Sequence, residues 1–287
     1  MDEEISIIYD KVRFEEKELF EKAQKKGVSA KLVDAKNIVI NTDNQKKDFQ
    51  LGNIIFQRCL SHFRGTYLSS CLEFLGYNVI NPSKVAEICG NKMETSLVLK
   101  KNSIPTPKSF FTFSAESFSD LINNIEFPMV LKPIFGSWGR GVFPLRNKEV
   151  ANMILEMREE NDNPMARIYY LQEMINRPER DLRCIVVNNN IVASVYRYSA
   201  KNEWRTNVAR GGKTEIAPVT KELEDIVLKT ANVIGGGILG VDLMEDKDRG
   251  LVVHEVNNNV EFRGATLASN KDIAGIIIDF LSSLLKK

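Results

Sequence analysis

The chain has almost no excess charge: 39 Lys and Arg face 38 Asp and Glu, a formal balance of +1 over 287 residues. A protein that wraps nucleic acid would need clustered excess cations to neutralise phosphates, so no nucleic-acid partner is expected. Cysteine is scarce: Cys59, Cys71, Cys89 and Cys184 are scattered, without the Cys-x-x-Cys spacing of a zinc or redox site. They are expected as buried or neutral thiols in a reducing compartment. Neither of the two histidines stands in a Ser-His-Asp, Cys-His or HExxH arrangement, which argues against acyl-enzyme and zinc hydrolase chemistry. No apolar run approaches the roughly 20 residues that cross a bilayer. The acidic start Met1-Asp2-Glu3-Glu4 is unlike the basic head of a signal peptide. A cytoplasmic protein without a membrane partner is therefore expected.

What is present is an ordinary globular mixture, 43% hydrophobic with 17 glycines and 9 prolines. That apolar content excludes a disordered chain, and the glycine and proline exclude a coiled coil. Strand and helix alternate from the start: strands at Ile5–Tyr9, Ser29–Val33, Ile54–Gln57 and Tyr77–Ile80, helices over Arg13–Lys26, stopped by Gly27, and over Thr66–Leu75, stopped by Gly76. This pattern predicts an α/β layer with a largely parallel sheet. Helices are expected over Ser83–Cys89 and Lys92–Asn102, then an extended Ile104–Pro107, because proline disfavours helix in its predecessor. Beyond lie a strand from Phe110, a helix over Ala115–Asn123, strands at Met129–Pro133 and Val142–Leu145, and a helix over Lys148–Glu159. Strand signals dominate afterwards, at Ile168–Glu173, Asp181–Val187, Ile191–Tyr198, Ile238–Val241 and Gly250–Asn257, with an amphipathic helix over Glu222–Gly235.

Three groups of residues carry chemistry. The loop Gly136-Ser137-Trp138-Gly139-Arg140-Gly141 follows Lys132-Pro133 between two strands. Its glycines let backbone N–H groups turn toward an anion, although the loop alone reads equally as an ordinary hairpin. It is neither a Walker loop nor a dinucleotide fingerprint, since no Gly-Lys-Ser/Thr follows and a strand comes next. Glu255 and Asn257 lie two apart on one strand and so share a face, with Asp242 approaching from another. Such hard oxygen ligands suit Mg²⁺; the plainer alternative is a solvated pair at a sheet edge. Between these groups run Arg180, Asp181, Arg183, Arg197, Arg205 and Arg210, with Asn207 nearby; the guanidinium forks of the arginines match phosphate or carboxylate oxygens. His62, just after Gln57-Arg58 at a strand end, is placed for ligand contact, whereas His254 alternates away from Glu255 and reads as structural.

The order of these motifs resembles the ATP-grasp carboxylate–amine ligases, in the branch of the ribosomal protein S6 modification enzyme. Ile8-Tyr9-Asp10, Gln57-Arg58, Trp204-Arg205-Thr206-Asn207 and Val256-Asn257 with Glu261-Phe262-Arg263 look like the LysX-type ligases. That resemblance implies a mixed α/β and α+β chain with an ATP-grasp fold behind a parallel-sheet pre-ATP-grasp domain, divided at 1–90, 91–170 and 171–287. It implies ATP and Mg²⁺ as cofactors. Lys92, Lys132 and the loop Gly136 to Gly141 would meet the ATP phosphates. Gln172, Glu173, Met174 and Ile175 would hold adenine, with Asp181 nearby. Asp242, Glu255 and Asn257 would bind the metal. Arg183, Arg197, Arg205 and Asn207 would face the reacting centre, and Arg58, His62, Asn259, Phe262, Arg263, Gly264 and Ala265, with Arg197 and Asn207, the substrate.

The implied reaction joins the α-amino group of α-aminoadipate, or of glutamate, to the C-terminal glutamate of a small acidic amino-group carrier protein, with a homo-oligomeric enzyme. Gly264-Ala265 stands where the lysine-type members have Asn with Thr or Ala and the glutamate-type members Gly-Phe; the N-terminal motifs favour α-aminoadipate, and dual use stays open. A ribosomal-tail glutamate ligase and a catalytically inactive nucleotide-binding regulator are the remaining alternatives. A carboxylate is a poor electrophile until it takes the γ-phosphoryl group, and that transfer needs positioning and charge neutralisation rather than a protein nucleophile. The glycine loop would then exclude water from the acyl phosphate.

Overall fold

The computed structural model describes residues 4–45, 48–199 and 213–286. Three sheets organise them. The first is all parallel, in the order β2-β1-β3-β4, from β1 (Ile5–Tyr9), β2 (Ala30–Asp34), β3 (Ile54–Gln57) and β4 (Asn78–Ile80). Its crossover helices are α1 (Phe14–Lys25) and α2 (His62–Phe74). α2 starts at His62 rather than Thr66, because the Ser61 side chain caps it by accepting from Arg64 N. Gly65 lies inside the helix, where a Cβ would stand 1.6 Å from the Gln57 side chain. The consequence is that His62 occupies a helix N-terminus.

α3 (Ser83–Gly90) and α4 (Lys92–Lys101) lead to the second sheet, which is antiparallel in the order β5-β8-β6-β7. It comprises β5 (Ser109–Thr112), β6 (Met129–Lys132), β7 (Phe143–Leu145) and β8 (Tyr169–Glu173), and the expected boundary at residue 170 falls inside β8. One face packs Met129, Leu131, Tyr169 and Leu171 against α5 (Ala115–Ile122) and α6 (Lys148–Glu159). The other presents Val130, Lys132, Tyr170 and Gln172, in register across β6 and β8.

The third sheet runs β11-β10-β9-β12-β13, from β9 (Arg180–Val187), β10 (Asn190–Tyr198), β11 (Lys213–Ile216), β12 (Ile238–Asp246) and β13 (Gly250–Asn257). Leu182, Cys184, Val186, Val241 and Val253 face α7 (Lys221–Ile234) in one core. Ile185, Val187, Val195 and Ile238 face the other way, into a core shared with β1, β3 and α9 (Ile273–Leu285). The N-terminal layer is fastened there by Asn81, whose side chain bonds Ile238 N and O and the Asn258 carbonyl. β11, α8 (Arg263–Ser269) and α9 were not expected from the sequence. All four cysteines are free; Cys59, Cys89 and Cys184 are buried, and Cys71 is exposed on α2. No helix among the described residues is long and apolar enough to cross a membrane.

Candidate active site

The polar faces of the second and third sheets enclose a cavity of about 280 Å³. From β6, Lys132 Nζ donates to Gln172 Oε1 at 2.6 Å, and Gln172 Nε2 donates to the Tyr170 hydroxyl at 2.8 Å. Burial lowers the Lys132 pKa to about 8. The loop after β6 takes positive φ at Gly136, Trp138, Gly139 and Gly141, a run that three glycines make accessible. Lys92, at the start of α4, donates to the Gly136 carbonyl at 2.5 Å and pairs with Glu255 at 3.2 Å, so one ammonium ties the loop to the opposite sheet.

That opposite sheet supplies a ladder of charge across four strands. Arg197 on β10 is bonded at both Nε and Nη2 to Asp181 on β9, at 2.7 and 2.8 Å. Arg183 on β9 grips Asp242 on β12 in the same bidentate fashion. Arg197 Nη2 also stands 3.2 Å from Asp242, and Asn257 Nδ2 donates to the same carboxylate at 3.3 Å. Burial favours protonation of Asp242, but Arg183 and Arg197 outweigh it and hold its pKa well below the usual carboxylate range. Burial likewise works against the charge of Arg197, and Asp181 and Asp242 more than restore it. Glu255 is held below its ordinary value chiefly by Lys92, against a larger opposing effect of burial.

A second cavity of about 440 Å³ adjoins the first, between the N-terminal layer and the third sheet. The two share Lys92, Gly136, Ser137, Trp138, Arg197 and Glu255. His62, Arg183, Asn257 and Asn259 line the second cavity. Lys132, Gly139, Arg140, Asp181, Asp242 and the segment Gln172, Glu173, Met174 and Ile175 line the first, whereas Gly141, at the end of the loop, lines neither. Five residues expected at the substrate line neither cavity: Arg58, Phe262, Arg263, Gly264 and Ala265. Arg58 is 1% exposed and bonded to Glu16 and the Val260 carbonyl. Phe262 and Ala265 are buried in the shared core, Gly264 faces Thr214, and Arg263 lies over the Phe14 ring. Arg205 and Asn207, with Trp204 and Arg210, lie outside the described residues.

Other residues enter the site that the sequence did not single out. Arg177 lines the first cavity, and Arg13 and Phe135 the second, beside Glu261 of the Glu261-Phe262-Arg263 motif. His254 reads as structural by strand alternation, yet it lines the first cavity beside Glu255. A register shift explains this: Asp242 pairs with Glu255 and Leu243 with Val253, leaving His254 as the extra residue of a bulge. Burial, then Lys132, lowers its pKa to about 4, and its Nε2 is buried without a hydrogen-bond partner among the described residues.

Asp242, Glu255 and Asn257 form a set of hard oxygen donors on one face of the third sheet, which fits Mg²⁺ with phosphate completing the shell. Among the described residues, no group of three or more His, Cys, Asp and Glu gathers to hold a metal, so the proposed set depends on the Asn257 amide oxygen as its third donor.

Residues 89–281 match the RimK-like ATP-grasp domain, and residues 5–88 match the LysX pre-ATP-grasp domain. The chain belongs to the RimK-like ATP-grasp family. As a member it is an ATP-dependent ligase that makes carbon–nitrogen bonds. It is 35% identical over 278 residues to an α-aminoadipate–LysW ligase LysX of Saccharolobus solfataricus, covering 96% of this chain and 99% of that protein. It is 33% identical to a glutamate–LysW ligase ArgX of Sulfolobus acidocaldarius, covering 97% and 98%. A RimK domain ATP-grasp protein of Sphaerobacter thermophilus shares its ATP-grasp architecture with a TM-score of 0.77, at 22% identity over 97% of this chain and 99% of that one.

Proposed function

We propose that this ATP-grasp ligase joins the α-amino group of α-aminoadipate to the C-terminal glutamate of a small acidic LysW-type carrier protein, a step of lysine biosynthesis. The observation that carries the reading is the pair of adjoining cavities with a common wall of Lys92, Gly136 to Trp138, Arg197 and Glu255. A nucleotide in the first cavity directs its γ-phosphate at a carboxylate and an amine in the second. Full-length relatives named for α-aminoadipate–LysW ligation support the choice of substrates.

The residues divide the work by their chemistry. Lys132 and Lys92 take the phosphates, Gln172 to Ile175 edge the adenine, and the glycine loop keeps water from the acyl phosphate. The carrier carboxylate oxygen bonds to the γ-phosphorus as ADP leaves, and the amine then displaces phosphate from the acyl carbon. Arg183 and Arg197 meet the charge on the transferring group. Asp242, Glu255 and Asn257 would hold Mg²⁺, which supplies charge neutralisation between nucleotide and carboxylate.

A second reading, glutamate as the amine, is favoured by the glutamate–LysW relatives of similar identity. Phosphate release from Mg-ATP with purified LysW carrier, compared between α-aminoadipate and glutamate, separates the two. Release that needs both carrier and α-aminoadipate is expected. Preference for glutamate transfers the enzyme to arginine synthesis, and release with neither amine overturns both readings.

A further inference from the structure

An amino acid reaches the enzyme as an ammonium ion and has no lone pair to attack with until it loses a proton. The second cavity offers few groups able to take it. Glu255 is paired with Lys92 at 3.2 Å and Glu261 with Arg13 at 3.1 Å, and a carboxylate held by a cation is a weak base. Cys59 and Cys89 are buried thiols whose pKa values burial pushes up. His62 is different: it lines the cavity, and among the described residues it makes no ion pair.

Its surroundings hold the ring in one place. His62 stacks on Phe135, with centroids 5.3 Å apart, directly before the glycine loop. Gly90 makes room for it, since a Cβ there would stand 1.9 Å from His62 Cε1. Thr66 Oγ1, one turn along α2, stands 3.4 Å from Nδ1, which leaves Nε2 for a ligand. The ring also sits at the N-terminus of α2, whose dipole disfavours the imidazolium. Among the charged groups around it, Lys92 on α4 acts in the same direction and Glu87 on α3 against it; burial is the largest influence, and the net effect keeps the imidazole neutral at pH 7.

We propose that His62 is the general base that deprotonates the attacking amine. The inference rests on the ligase reading. Nε2 takes one proton from the ammonium, the freed lone pair forms the C–N bond, and the C–O bond to phosphate breaks with its electron pair going to phosphate. The second N–H proton leaves with phosphate as hydrogen phosphate, and the imidazolium returns its proton to solvent.

Hydroxylamine tests this directly, because its nitrogen is already unprotonated at pH 7 and needs no base to trap the acyl phosphate. His62→Asn should lose about 10²-fold or more in carrier–amino-acid product, the usual range for a general base, while carrier hydroxamate formation falls far less. Thr66→Val, which frees the ring without removing it, should show the same selective loss more mildly. The wild-type amine-dependent rate should level off above a limb lying below pH 6.5, whereas the His62→Asn rate should keep rising as free amine increases. Hydroxamate and amino-acid product falling together, or neither falling, overturns the base. No hydroxamate from the wild-type enzyme overturns the ligase reading, and the base with it.

Discussion

Arg183 grips Asp242 through two parallel hydrogen bonds, Nε to Oδ1 and Nη2 to Oδ2, both 2.7 Å. The pair spans β9 and β12 and fixes the carboxylate, ionised, between the two cavities. Replacing Asp242 by Asn keeps the volume but leaves Arg183 and Arg197 facing a neutral group. ATP turnover is expected to fall by about 10²-fold or more, and stability by about 3 to 5 kcal/mol as a buried pair is broken. Asn257→Ala, at a less buried position, should lose turnover with little effect on denaturant midpoint. Near-normal turnover in both variants would remove the proposed metal site.

Lys132 gives the cavity proposed for the nucleotide a pH dependence. Burial holds its pKa at about 8, below the ordinary 10.5 of lysine, so in the free protein its charge is lost as pH rises through about 8. Bound phosphates favour the charged form, and nucleotide binding must therefore take up a proton between about pH 8 and 10.5. Calorimetry of ADP binding in buffers of differing ionisation enthalpy should show that uptake at pH 9 and none at pH 6. Lys132→Arg should abolish it.

The expectation that failed at His254 shows where sequence reading stops. Alternation along Leu251 to Asn257 correctly puts Glu255 and Asn257 on one face, because their pairing with Asp242 and Gly240 is regular. The bulge that turns His254 to the same cavity depends on how β12 and β13 meet, which no local pattern records. Arg58 fails for a related reason. The resemblance places Arg58 at the substrate, but α1 brings Glu16 within 3.1 Å and the C-terminal segment covers the guanidinium. By contrast, the β6–loop–β7 unit was legible because its glycines cluster where positive φ is needed. β1, β3 and α6 were equally legible, having short apolar runs or clear caps.

The pair Arg58–Glu16 is 1% and 0% exposed, so truncating one partner strands a charge in the core. Glu16→Gln should destabilise by about 3 to 5 kcal/mol, read as a lower denaturant midpoint. A variant of wild-type stability would show that solvent reaches the pair.

Acid should loosen the turn that carries His62. Asp10 accepts from Leu60 N and Ser61 N and from Arg64, and although burial opposes it these bonds lower its pKa below 3.8. A depressed carboxylate stabilises the fold above its unfolded pKa, and that contribution vanishes as pH falls through the lower folded value. The wild-type protein should therefore lose stability below about pH 4 more steeply than Asp10→Asn, which is less stable at neutral pH. Parallel pH profiles for the two would contradict this.

The most direct test of the central claim follows an oxygen. LysW carrier labelled with ¹⁸O in its C-terminal glutamate carboxylate is incubated with the enzyme, Mg-ATP and α-aminoadipate, and the released phosphate is weighed by mass spectrometry. Activation through an acyl phosphate, as proposed here, transfers one ¹⁸O to phosphate for each amide formed. Unlabelled phosphate accompanying amide formation would contradict the account.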